Sequence, residues 1–242
     1  MNWINWTLSY WMLAPWLIAL MMACAVHLLI YFIGAGVGVY LTEQLWPRMG
    51  IGEKIDKQPA APEQIRSEIK NAVVACLILG LVSMSYRGMC DGLWPTSGLQ
   101  AIWQLAAFVV FNAVYAYGTH RLLHTRYLRR FHGVHHKSIR VTPWSGYSVH
   151  PVEAVVIAAT LPLFTFIYPL GIGTVFVLHA VGMTFTTCIH CNYELFPHLP
   201  VQHRLRRLLA DPAYHRFHHT LGKVNFAISA RVLDQIFDTR LR

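Results

Sequence analysis

The chain has 242 residues, of which 55% are hydrophobic and only 13% charged, whereas a soluble globular domain of this size carries about 25% charged residues. This composition excludes an ordinary soluble protein, or two separately folded soluble domains, and points to one domain laid into a bilayer. Twenty Lys and Arg against eleven Asp and Glu give a formal charge of +9; because the basic residues flank apolar runs, they read as a membrane-topology signal and nucleic acid is not expected as a partner.

The opening MNWINWTLSYW has no basic region and no small-residue cleavage site before the apolar stretch. It is read as an uncleaved anchor whose tryptophans suit an interfacial belt. Apolar runs follow at Trp11 to Leu41, Asn71 to Tyr86, Gln100 to Gly118 and Val152 to Ile189. About 20 residues are needed to cross a bilayer. The first and third runs reach that, the second is marginal, and the fourth, broken by Pro162, Pro169, Gly171 and Gly173, is long enough for a helical hairpin.

Between the first two runs, Trp46 to Lys70 holds five basic residues, whereas Arg87 to Gly98 holds one. Thr119 to Val149 has six basic residues and no acid, and the tail from His190 has eight basic to four acidic. Positive-inside counting puts all three basic segments in the cytoplasm and the N-terminus outside, which requires an odd number of crossings, expected to be five. The predicted architecture is an all-α integral membrane helical bundle with a cytoplasmic His-rich helical cap. Residues 1–118 would be anchor helices with a cytoplasmic loop at 46–70, and 119–242 a histidine-rich domain that includes the membrane hairpin 152–189. The short chain, with no appended domain or retention signal, points to a bacterial inner membrane in preference to an endoplasmic reticulum.

Thirteen of the fourteen histidines fall between His120 and His219 inclusive. His120 and His124 leave the third run at helical i, i+4 spacing, one turn apart on one face. His132, His135 and His136 form a His-x-x-His-His motif, which His215, His218 and His219 repeat near the end of the chain. Within each motif the three positions are expected on one helical flank. Eight imidazoles in three clusters are too many for one tetrahedral zinc and suit two metals of higher coordination number. By contrast, His27, His198 and His203 are expected to be hydrogen-bonded or interfacial residues. The five cysteines, few and odd in number, do not make a disulfide framework.

These three boxes, in order, resemble the fatty acid hydroxylase superfamily, membrane proteins that include sterol desaturases, sterol methyl oxidases and lipid hydroxylases. The resemblance covers Tyr117 to Arg242. His150-Pro-Val-Glu153 is similar to the family's His-Pro-x-Glu segment, His190-Cys191-Asn192 to its His-x-Asn segment, and Asp211-Pro-Ala-Tyr to its lead into the last box. The resemblance implies two irons held by His120, His124, His132, His135, His136, His190, His215, His218 and His219, with His150 and His179 as further candidates. After the last box the sequence departs from the family: Asn225-Phe-Ala, Leu233-Asp234 and Phe237-Asp-Thr stand where Asn-x-Gly, Trp-Asp and Phe-Gly-Thr are usual. Asn192, Asn225 and Asp234 are then candidates for the layer that supports the ligands, and Glu153 and Asp211 for tuning their basicity.

The chemistry agrees with the spacing. An unactivated C–H bond yields to a redox metal centre that reduces dioxygen, not to acid–base groups. The expected activity is O2-dependent hydroxylation or desaturation of a fatty acyl, sterol or polar-lipid substrate drawn from the bilayer. Trp144 and Tyr147 are candidates to line its path. No dinucleotide-binding glycine motif or Cys-rich cluster is present, so electrons are expected from a separate ferredoxin, cytochrome or flavin reductase. The alternatives are a zinc-dependent membrane hydrolase on the same histidines, a Cys188-x-x-Cys191 zinc or redox site, a haem protein using His27 and His179, and a metal-binding membrane protein without activity.

Overall fold

The computed structural model describes residues 2–198 and 210–241. Helix α1, Trp3–Leu13, is capped by the Asn2 side chain, which accepts from Asn5 N at 2.9 Å, and it exposes Trp3 and Trp6. The first apolar run becomes α2, Trp16–Tyr40, prolonged by a π-helical turn at Leu41–Leu45 and a last turn to Met49, and stopped by Gly50 in the left-handed conformation. Helix α3, Pro62–Ser83, begins with Pro at its first position, where the missing N–H is not needed. Helix α4, Gly98–Leu123, starts from Ser97, whose hydroxyl accepts from Gln100 N.

The fourth run is a hairpin. Helices α5, Pro151–Ala158, and α6, Thr160–Ile167, form its first limb, and α7, Ile172–Ile189, returns from the turn at Pro169 to Gly171. Helix α8, Pro212–Leu221, follows Asp211, which caps it by accepting from Tyr214 N at 2.7 Å, and ends at Gly222 in the left-handed region. A final short helix α9 spans Val232–Ile236. Two-residue strands β1, Glu53–Lys54, and β2, Tyr193–Glu194, pair antiparallel.

Among the described residues four helical segments are long and apolar enough to cross a membrane, and the α5–α6 limb is a shorter apolar one. Their outward side chains are apolar: Leu17, Met21 and Ile33 on α2, Val110 and Val114 on α4, and Val177 and Val181 on α7 are all exposed. That is the surface a hydrocarbon solvent selects, since lipid gives no reason to hide it. Inside the bundle, small residues let backbones approach. Ala35 on α2 is buried in one cluster with Ala72 and Ala75 on α3, Ala19 and Ala23 on α2 in another with Ile172 and Val175 on α7, and a Cβ added at Gly80 would lie 2.8 Å from Cys24 Cα. Van der Waals contact of this kind replaces the hydrophobic effect that would drive packing in water. All five cysteines are free.

The helices alternate in direction and bring one end each to the same level. Gly38 near the end of α2 packs on Pro143, Gln64 at the start of α3 donates to Arg140 O at 2.8 Å, α4 ends on His120, α5 begins two residues before Glu153, and α7 ends beside His190. At the opposite end Arg87 donates to Met12 O and Ala14 O, tying the turn after α3 to the α1–α2 corner. The expected division between residues 118 and 119 falls inside α4, so anchor and cap share one continuous helix.

Candidate metal centre

Nine histidines converge above the bundle. His120 and His124 come from the end of α4, His132 from a helical turn at Arg129–His132, His135 and His136 from the 3-10 turn that follows it, His190 from the C-cap of α7, and His215, His218 and His219 from α8. They form two groups: His120, His124, His132, His136 and His218 in one, and His135, His190, His215 and His219 in the other, with the ligand nitrogens of each group all within 4.8 Å of one another.

The two His-x-x-His-His motifs are therefore not units. Each gives its first and last histidine to one group and its middle one to the other. On a helix of 3.6 residues per turn, i+4 lies about 40° past i and i+3 about 60° short of it, so the motif straddles two faces. The expectation that all three share one flank is corrected on this point. In the second box the chain is not one α-helix, because Gly133 closes one turn before the 3-10 turn begins.

Hydrogen bonds at the far ring nitrogen fix the tautomers. Nδ1–H of His120 donates to Phe226 O, that of His190 to Thr186 O and that of His218 to Val224 O, each at 2.7 Å, and that of His136 to His219 O at 3.3 Å. A carbonyl can only accept, so the proton sits on Nδ1 and Nε2 presents a lone pair. His132 Nδ1 likewise meets Glu153 Oε1 at 2.7 Å. The Nε2 atoms then face one another: His120 to His132 at 3.1 Å, His132 to His136 at 3.0 Å, His136 to His218 at 3.1 Å, and His190 to His215 at 3.0 Å. In the five-histidine group the lone pairs converge with no proton between them and repel, and a cation at their centre would remove the repulsion. In the other group the Nδ1 atoms of His135, His215 and His219 are buried with no partner among the described residues, so only His190 has its tautomer fixed. The donor set thus fits a metal ion in each group. Imidazole nitrogen suits iron, zinc or copper.

Burial keeps the rings neutral, as ligation requires. It pushes His124 and His190 down to about 4, and with the neighbouring imidazoles it pulls His132, His135, His215, His218 and His219 below the usual histidine range. Phe226 sets its ring edge-on against His120, His124 and His218 at 5.9, 5.1 and 5.5 Å. Fully buried Asp234 accepts from Phe226 N, Ala227 N, Tyr214 OH and Thr239 Oγ1 at 2.6–3.0 Å. Asn225, at φ 59, donates to Tyr214 O and accepts from Leu241 N. Both residues therefore hold the backbone beside the histidines, and among the described residues neither hydrogen-bonds to a histidine ring.

The remaining candidates lie elsewhere. His150 caps α5 by accepting from Val152 N and packs on Phe131, apart from both groups. His179 lies mid-bundle, its Nε2 3.0 Å from Tyr86 OH. Asp211 caps α8 and pairs with Arg231. Asn192 brackets Asp56, accepting from its N–H and donating to its C=O at 2.8 and 2.9 Å. Trp144 packs on Tyr31 and Phe32, while Tyr147 lines the cavity below the histidines. Cys191 donates its thiol to Thr187 O, burial pushes it up to about 12, and neither it nor Cys188 joins either group. His27 is hydrogen-bonded but deep within α2, His198 is exposed, and His203 lies outside the described residues.

Sequence reasoning missed Asp56. Its carboxylate, held low by the Arg216 guanidinium at 2.9 Å, joins the loop after α2 to the helix that carries the last box. Only an acid lodged among basic residues marks it in the sequence.

Glu153 is buried and its Oε1 orients His132. Glu153→Ala should lower metal retention in the five-histidine group by on the order of ten- to a hundredfold. Glu153→Gln, which keeps an acceptor, should fall between. Metal remaining per chain after a timed chelator challenge reads this, and unchanged retention in the Ala variant would remove Glu153 from its positioning role.

A cavity of about 190 Å³ opens directly beneath the two groups, with His120, His132, His135, His190 and His215 in its upper wall and Leu161, Met183 and Phe108 below. The arrangement sets two groups of histidines that could each hold a metal ion at one end of a largely apolar pocket.

The chain matches the family model described as fatty acid hydroxylase over residues 105–239. It is 28% identical over 198 residues to a Delta(7)-sterol 5(6)-desaturase of Aspergillus fumigatus, covering 68% of this chain and 59% of that protein. It is 31% identical over 196 residues to a very-long-chain aldehyde decarbonylase of Oryza sativa, covering 77% of this chain and 29% of that one. A lathosterol oxidase of Homo sapiens is 24% identical over 184 residues, 72% of this chain and 60% of the human protein. The chain spans less than two thirds of the length of each of these relatives. No solved structure matches it.

Proposed function

Since the chain belongs to the fatty acid hydroxylase family, we propose that it is a membrane oxidoreductase that hydroxylates or desaturates an aliphatic position of a lipid, using O2 and electrons from a separate donor protein. One observation carries the reading: two all-nitrogen metal groups stand over a cavity that descends between apolar helices. His120, His124, His132, His136 and His218 would hold one iron, and His135, His190, His215 and His219 the other. When bound, the two metal ions supply O2 reduction and the oxidising power to break an unactivated C–H bond.

The chain's own residues do the rest. Nδ1–H donation to fixed carbonyls holds four rings in place without cost at the moment of reaction. Leu161, Leu178 and Met183 line the cavity with apolar surface, exclude water and admit an alkyl chain from the bilayer. The basic segments around the histidines support a cytoplasmic site. The hydrolytic alternative is not favoured, since the relatives carry the names of desaturases, an oxidase and decarbonylases.

The test is to purify the chain from cells supplied with both iron and zinc, count metals by elemental mass spectrometry, and incubate it with its host's lipid extract, a reductant and isotopically labelled O2. About two irons per chain and an O2-dependent lipid product are expected; label in the product marks hydroxylation and a new double bond without label marks desaturation. Two zincs and no O2-dependent product would overturn the reading.

A further inference from the structure

The cavity continues well below the histidines. Leu178, His179, Gly182, Met183, Thr186 and His190 line it as one stripe along α7, and positions 108, 112, 116, 119, 120 and 123 line it along α4. His179 precedes His190 by eleven residues and Asn112 precedes His120 by eight, or about 16 and 12 Å of helix rise. These two polar side chains therefore face the deep end of a long, otherwise largely apolar channel, near mid-bilayer.

Polar groups at that depth are expensive and mark a function by default. Beside them a third polar group, His27, lies outside this cavity's lining and is incompletely satisfied. His179 Nε2 meets Tyr86 OH, and His27 stands edge-on to His179 at 5.0 Å between ring centres. His27 donates Nδ1–H to Ala23 O at 2.8 Å, yet its Nε2 is buried with no partner among the described residues. The metal groups use none of these atoms.

Resting on the lipid-oxidising reading above, we propose that the channel takes an elongated apolar molecule with one neutral hydrogen-bonding oxygen, a hydroxyl or carbonyl, seated at His179 and Asn112. The carbon to be oxidised lies at the histidine end, on the order of ten bonds away. A carboxylate or phosphate does not suit the deep end: among the described residues no Lys or Arg lines the cavity, and an unpaired charge there is costly. His179 and Asn112 act as a ruler, setting by their distance which carbon meets the metals.

The experiment measures binding of radiolabelled 1-hexadecanol and of hexadecane to the full chain in lipid nanodiscs, without turnover. The wild type should hold the alcohol about tenfold more tightly than the alkane. His179→Phe with Asn112→Leu should bind both alike, and Asn112→Leu alone should lose part of the preference should the double variant fail to insert. His218→Ala, which disturbs the metal centre outside the channel, should keep the preference. Equal binding of the two probes by the wild type, or an undiminished preference in the channel variants, would overturn the proposal. An alcohol preference in a protein that forms no O2-dependent product supports the channel and sinks the oxygenase reading instead, so the two failures are distinct.

Discussion

Replacing both His135 and His219 by Ala should leave about one metal ion per chain, whereas replacing His135 and its immediate neighbour His136 takes one ligand from each group and should weaken retention of both ions without emptying either group. The first pair belongs to one group although 84 residues separate them; the second pair, adjacent in sequence, is split between the two groups. Lipid oxidation should fall below detection in the first double variant, which loses one of the two ions the chemistry needs, and should be lowered in the second, which loosens both. Insertion into the membrane should survive, since α2, α3, α4 and α7 bury apolar contacts far from these rings. Elemental analysis of the purified variants decides the matter. Equal metal loss in the two double variants would mean that the motifs act as local units and that the crossed arrangement is wrong.

Asp234→Ala is expected to be the most damaging substitution outside the ligands. One carboxylate gathers two backbone N–H groups and two hydroxyls in a fully buried position, and removing it leaves all four donors without their acceptor. Each buried donor left unsatisfied costs about 1–3 kcal/mol, so the segment from Tyr214 to Thr239 should lose several kcal/mol and melt early. Metal should follow, because Tyr214 precedes His215 and Phe226 O accepts from His120. Asp234→Asn, keeping one acceptor oxygen, should be milder. Limited proteolysis of the C-terminal segment and the melting temperature in detergent would read the loss; an unshifted melt in the Ala variant would show the carboxylate to be redundant.

The membrane helices were legible because hydrocarbon thickness sets their length and apolarity leaves no ambiguity. The break at Pro169 to Gly171 likewise announced the hairpin. Eight of the nine clustered histidines were legible from helical spacing and His190 from the family resemblance, but their division into two groups was not. It depends on a difference of about 100° between i+3 and i+4 around the helix, and on Gly133 interrupting the second box. His150 looked like a ligand beside ligands, yet Pro151 after it is the signature of a helix start, and the ring serves as the cap. Asp56 was illegible for a different reason: its partner Arg216 is 160 residues away, and no local pattern encodes a contact made only when the chain has folded.

The crossing of the boxes also has a consequence in time. Helix α8 is the last ligand-bearing segment to leave the ribosome, and it supplies two of the four nitrogens of one group and one of the five of the other. A nascent chain already threaded into the bilayer holds only His135 and His190 of the four-histidine group, too few to close a metal site. Neither group is complete before synthesis reaches α8, so the two groups cannot both close until that helix has emerged.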